Sequence, residues 1–160
     1  MSEFLAYFEL GFDHITDSKG YDHILFIIAL CAIYTLKDWK KVLILVTAFT
    51  FGHSITLILA TTQVIQVRSD LIEFLIPITI LFTAILNFTN KPTRNYNNKY
   101  TDTSSSYRYP MALGFGLIHG LGFSNYLVTL LGKENQLINP LLGFNVGLEV
   151  GQIIIISIFL

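Results

Sequence analysis

This 160-residue chain has a single cysteine, Cys31. One cysteine can form no intrachain disulfide and build no thiolate metal cluster. Charge is equally scarce. Only 13% of the residues are Asp, Glu, Lys or Arg, against roughly a quarter in a soluble domain. That shortage excludes an ordinary soluble fold. The formal net charge is −1, and no nucleic-acid partner is expected. There is no H-E-x-x-H spacing, so the commonest zinc-hydrolase signature is missing. The first residues lack the basic start of a secretory signal peptide, and no internal repeat stands out.

What is present is long apolar sequence, 52% hydrophobic overall. The pattern predicts an all-α fold, a polytopic membrane helix bundle forming one domain over residues 1–160. Five spans are expected, at 21–36, 42–62, 71–88, 110–131 and 137–160. Pro77 falls inside the third and is expected to kink it. Residues 1–19 read as a short external helix in the interface, with Phe4, Tyr7, Phe8 and Phe12 in the boundary layer. Residues 89–109, rich in Asn, Ser and Thr, read as a long loop. The fifth span runs to Leu160 without a polar flank, and the expectation is that a sixth span follows it.

The basic residues set the orientation. Lys37, Lys40, Lys41, Lys91, Arg94, Lys99 and Arg108 fall in the first and third connections, on one side of the membrane. The positive-inside rule makes that side cytoplasmic. The expected placement is therefore a multi-pass protein of the inner (plasma) membrane with its amino terminus outside.

The fifth span contains FNVGLEVGQ at residues 144–152. At about 100° per residue, Asn145, Glu149 and Gln152 share one stripe, and Gly143, Gly147 and Gly151 share the opposite side. The glycine side suits close helix packing, either inside the bundle or between the protomers of a homo-oligomer. An acid in a span costs roughly 2.5–3.5 kcal/mol on insertion scales, so Glu149 should face protein and have a partner.

The other polar groups step inward from the outer side. Asp22 and His23 lie at the mouth of the first span, with His14 just before it. His53 is in the outer half of the second span. His119 and Glu149 come roughly 15–18 Å below the outer surface at the helical rise. Gly116 and Gly120 flank His119 and would admit another helix. The cytoplasmic halves carry little that could match this series. Imidazole, carboxylate and amide oxygen together suit borderline divalent ions: Ni²⁺, Co²⁺, Zn²⁺ or Cu²⁺. The candidate metal residues are His14, Asp22, His23, His53, His119, Asn145 and Glu149. Asp22 also has an ordinary use as a helix N-cap, and any single histidine could be a helix-to-helix hydrogen bond.

Four pieces of the chain, GYDHILFIIAL, VTAFTFGHSITLILA, GLIHGLGF and FNVGLEVGQ, resemble the HupE/UreJ family. These are hydrogenase and urease accessory membrane proteins, similar to nickel/cobalt permeases. The pieces occur in family order from Gly20 to Gln152. The resemblance implies an inner-membrane helix bundle that handles Ni²⁺ or a similar ion. It places His14, Asp22, His23 and His119 on the family's metal motifs.

Three functions stay open at this level. The leading one is transport of a divalent transition metal, captured by Asp22, His23 and His14, then held by His53, His119, Asn145 and Glu149. The second is an intramembrane zinc hydrolase using the same cluster, with Glu149 or Asp22 as base. The third is a non-catalytic membrane partner whose polar residues join helices. No catalytic residue is assigned. The partners expected are the lipid bilayer and the metal ion.

Overall fold

The structure, a computed structural model, describes residues 2–17, 20–89, 93–94, 100–101, 105–131 and 137–160. Among them six α-helices carry the fold: α1 (Glu3–Thr16), α2 (Tyr21–Cys31), α3 (Trp39–Thr61), α4 (Ser69–Thr89), α5 (Ser105–Leu131) and α6 (Ile138–Phe159). A short 3-10 turn, Leu36–Asp38, leads into α3. Strands β1 (Thr93–Arg94) and β2 (Tyr100–Thr101) form a two-residue antiparallel pair between α4 and α5.

Among the described residues four helical stretches are long and apolar enough to cross a membrane: Leu36–Thr61, Ser69–Thr89, Tyr107–Leu131 and Ile138–Phe159. Their outward faces carry large apolar side chains, among them Ile44, Phe51, Phe74, Phe82 and Ile158. The span expected at 21–36 is instead the 11-residue α2. At about 1.5 Å per residue that helix covers only ~16 Å, too short to cross alone. The cause is local. Thr35 and Asp38 form a capping box that starts the next helical segment, so the apolar residues after Cys31 belong to a turn.

Glycines decide which helices touch. A Cβ on Gly143, Gly147 or Gly151 would run into Phe4, Phe8 or Ile15 of α1. The indices rise together, so α1 and α6 run parallel with their backbones in contact. A Cβ on Gly11 would in turn strike the Phe144 carbonyl. The glycine face of α6 is therefore filled by α1 and is not free for a second copy of the chain. Helix α1, expected as an external interfacial segment, lies along the candidate span α6 and buries Tyr7, Gly11 and Ile15. Gly52, Gly116 and Gly120 do the same for α3 and α5, where an added Cβ would meet Leu113, Phe49 and Thr56 within about 2 Å. These two helices are also parallel.

Helix α4 is antiparallel to α5, with Asn125 tied to Ser69 and Arg108 to Asn87. Asn87 also donates to the Ala29 carbonyl, which holds the end of α2 beside the end of α4. Helices α2 and α4 thus end, and α3 and α5 begin, at one end of the bundle, where Lys37, Lys40 and Lys41 lie. We call it the basic end. The loop expected over 89–109 is shorter at both ends, because α4 runs to Thr89 and α5 starts at Ser105. Arg108, counted above with the loop cations, is helical and fully buried. Lys91 and Lys99 lie outside the described residues.

Candidate metal centre

All four histidines of the chain meet in the bundle interior. His14 and His23 have ring centroids 4.6 Å apart, His23 and His119 5.1 Å, His14 and His53 6.1 Å, and His23 and His53 6.2 Å. Each arrives on a different helix, α1, α2, α3 and α5. The approach of α3 to α5 through Gly52, Gly116 and Gly120 brings His53 and His119 to one place. The seating of α1 on the α6 glycines delivers His14. His53 is eight residues from the end of α3 and His119 twelve from the end of α5. They therefore lie ~12 and ~18 Å below the end of the bundle opposite the basic one.

Apolar rings close the surroundings. Phe26 and Phe49 each pack against His119 with centroids 5.1 Å apart, Phe144 stacks on His53 at 6.1 Å, and Phe123 lies 4.0 Å from His14. His53 and His119 are fully buried, and His23 nearly so.

Among the described residues five ring nitrogens are buried without a hydrogen-bond partner: Nε2 of His14, Nε2 of His23, both nitrogens of His53, and Nδ1 of His119. The neighbours explain which lone pairs are bare. Asp22 Oδ1 accepts the His23 backbone N–H at 2.9 Å and stands 3.2 Å from His23 Nδ1. A proton on Nδ1 leaves Nε2 as a lone pair. The Thr79 hydroxyl donates to the Ile76 carbonyl at 2.7 Å and lies 3.0 Å from His119 Nε2. Its one hydrogen is spent, so it accepts from Nε2–H, and His119 Nδ1 is bare. The Asp22–His23 and Thr79–His119 pairs have the form of outer partners that orient metal-binding imidazoles.

Among the described residues, no three His, Cys, Asp or Glu side chains are already set to hold a metal ion. The rings are gathered, and rotations of the imidazoles would have to bring their nitrogens to the ~2.0–2.1 Å of a metal bond.

Two further residues expected here, Glu149 and Asn145, have other hydrogen-bond partners. Glu149 takes a hydrogen bond from Thr47 at 2.5 Å, with its other oxygen buried and unpartnered. Asn145 donates back to the Leu141 carbonyl at 2.7 Å, and its side-chain oxygen is unpartnered. Neither hydrogen-bonds a histidine. Gln152, one turn further, accepts from Thr50 at 2.9 Å. The stripe Asn145, Glu149, Gln152 thus forms a second polar seam, in which Thr47 and Thr50 staple α3 to α6.

The HupE / UreJ protein family matches residues 1–160, the whole chain. The chain belongs to that family. No curated protein matches it, and no solved structure does. With four helices long and apolar enough to span, this HupE/UreJ chain is a membrane protein.

Sequence reasoning missed three groups in it. Asp13 and Asp17 line an open cleft of about 490 Å³ together with His14, Phe123 and Tyr126. Their signal was present, since acids at i and i+4 share a helix face with His14 beside them. Thr79 gave no signal, because a threonine in an apolar span is ordinary.

Proposed function

We propose that this chain carries a divalent transition metal ion across the membrane, of the nickel/cobalt type that its family suggests. His14, His23, His53 and His119 form the binding cluster in this reading. Asp22 and Thr79 act as positioning residues for His23 and His119. Asp13 and Asp17 draw the cation into the cleft that reaches His14. Imidazole nitrogens suit Ni²⁺, Co²⁺, Zn²⁺ and Cu²⁺ alike, so the donor set defines a class of ion. The basic end faces the cytoplasm of the inner (plasma) membrane by the positive-inside rule, which puts the amino terminus outside.

The observation that carries the reading is the set of five buried, partnerless ring nitrogens. Each unsatisfied buried polar group costs about 1–3 kcal/mol. A chain that used its histidines only to join helices would satisfy them across those helices. His53 makes no side-chain hydrogen bond among the described residues. A divalent ion arriving in the cluster would satisfy several of these nitrogens at once. Of the two carboxylates a hydrolase could use as base, Asp22 is engaged with His23, and Glu149 hydrogen-bonds Thr47 and no histidine. A site near mid-depth is where transporters keep their cargo.

Purified protein in liposomes containing a metal-sensitive dye tests this. Wild type should admit Ni²⁺ or Co²⁺, and His119→Ala should not. Equal dye response in wild type, His119→Ala and empty liposomes would end the transport reading.

A further inference from the structure

The half of the bundle between the histidines and the basic end is not the apolar plug that the sequence suggests. Thr79, Thr83 and Asn87 follow each other at i, i+4 and i+8 on α4, and Thr79 and Thr83 are buried. Facing them on α5 are His119 and, eleven residues earlier, Arg108. Eleven residues are three turns, which return to the same helix face within ~20°.

Contacts join both ends of this column. At the top Thr79 meets His119 at 3.0 Å. Next, the Thr83 hydroxyl donates to the Thr79 carbonyl at 2.8 Å. At the bottom Arg108 Nη1 donates to Asn87 Oδ1 at 2.8 Å, while the Asn87 amide holds the Ala29 carbonyl of α2. A polar seam thus runs from the histidine cluster to the basic end, and a cation sits at its foot.

That cation is poorly satisfied. Arg108 is 0% exposed, yet among the described residues its Nε and Nη2 have no hydrogen-bond partner, and its guanidinium carbon lies 5.8 Å from the Tyr107 ring centroid. No carboxylate pairs with it among the described residues. A structural pin would be fully bonded, because an unpaired buried charge is costly. Arg108 is the second residue of the candidate span Tyr107–Leu131, at the level where a path along the seam would leave the bundle.

We propose that the Thr79–Thr83–Asn87 seam is the exit path from the histidine cluster and that Arg108, latched by Asn87, is its gate. The inference rests on the transport reading. In the closed position the guanidinium blocks the path and repels a divalent cation descending it. Turning out at the basic end exposes it to water, which recovers its hydration and leaves the seam open. The thin bonding of the closed position keeps the two positions close in free energy, as a gate requires.

The test is cysteine accessibility in vesicles. In a Cys31→Ser background, Thr83→Cys places a reporter inside the seam. A membrane-impermeant maleimide should leave that reporter unlabelled from either side. Adding Arg108→Ala should cause loss of protection from the basic side only. Asn87→Ala keeps the charge and removes its latch, and it should expose the reporter too, so the result does not hang on one variant's folding. Metal bound at the histidines should be unchanged in both. Labelling with Arg108 and Asn87 intact, or full protection in both variants, would overturn the gate. Labelling needs no metal movement, so the two ideas fail separately. If wild type moves metal and neither variant alters protection, only the gate falls. If wild type moves no metal while both variants open the seam, the transport reading falls and the gated seam stands.

Discussion

His53 is the residue in which folding and function pull apart most clearly. It is fully buried, both ring nitrogens are unpartnered, and Phe144 stacks on it. As a folding element an apolar side chain of similar size would serve better, since an unsatisfied buried donor or acceptor costs about 1–3 kcal/mol. His53→Leu should therefore raise the apo protein's melting temperature in detergent, or leave it unchanged, while abolishing metal binding. A large drop in apo stability would mean that His53 holds structure through bonds of its own. The candidate residues were legible to the extent that chemistry marks a residue by type: histidines and acids in apolar runs stand out. Whether Glu149 reaches His119 depends on helix rotation and crossing, which no spacing encodes. It faces Thr47 instead. Thr79 and Arg108 were overlooked for opposite reasons, one too ordinary in a span and the other assigned to a loop.

Among the elements, α1 carries the most consequence for its length. It has 14 residues, with acids along it, and reads in isolation as a surface helix. Its place is set by α6, whose three glycines admit its backbone. A Cβ on Gly147 would lie 2.0 Å from the Phe8 carbonyl oxygen. That oxygen belongs to backbone and cannot swing aside. Gly147→Ala should therefore unseat α1, with a cost at or above the ~1–3 kcal/mol of ordinary overpacking. Because His14 rides on α1, metal affinity should fall with it. Gly114→Ala is the control, as nothing lies within 4 Å of its added Cβ. It should be neutral or gain up to the ~1 kcal/mol of helix propensity. Thermal unfolding and metal titration of both variants check this. The glycine pattern announced a close contact from the sequence alone. Its partner could not be read, because a smooth face fits any helix. Likewise, the apolar run that follows Asp22 and His23 hid the break after Cys31, which depends on the Thr35–Asp38 cap.

For the molecule as a whole, membrane class and helical architecture follow from composition, while the meeting of four histidines does not. Their sequence separations run from nine to over a hundred residues. Only the parallel pairs α1–α6 and α3–α5, with α2 set between, bring them to one level. The account's central claim is that this meeting point, and not the Glu149 seam, binds the metal. The measurement that tests it most directly is the metal content of purified protein after loading with Ni²⁺ or Co²⁺ and desalting. Wild type, His53→Ala, His119→Ala and Glu149→Ala would be compared. The account predicts a single bound ion per chain in wild type and in Glu149→Ala, and its loss in both histidine variants. Wild type that holds no metal, or metal lost in Glu149→Ala but kept in the histidine variants, would contradict it.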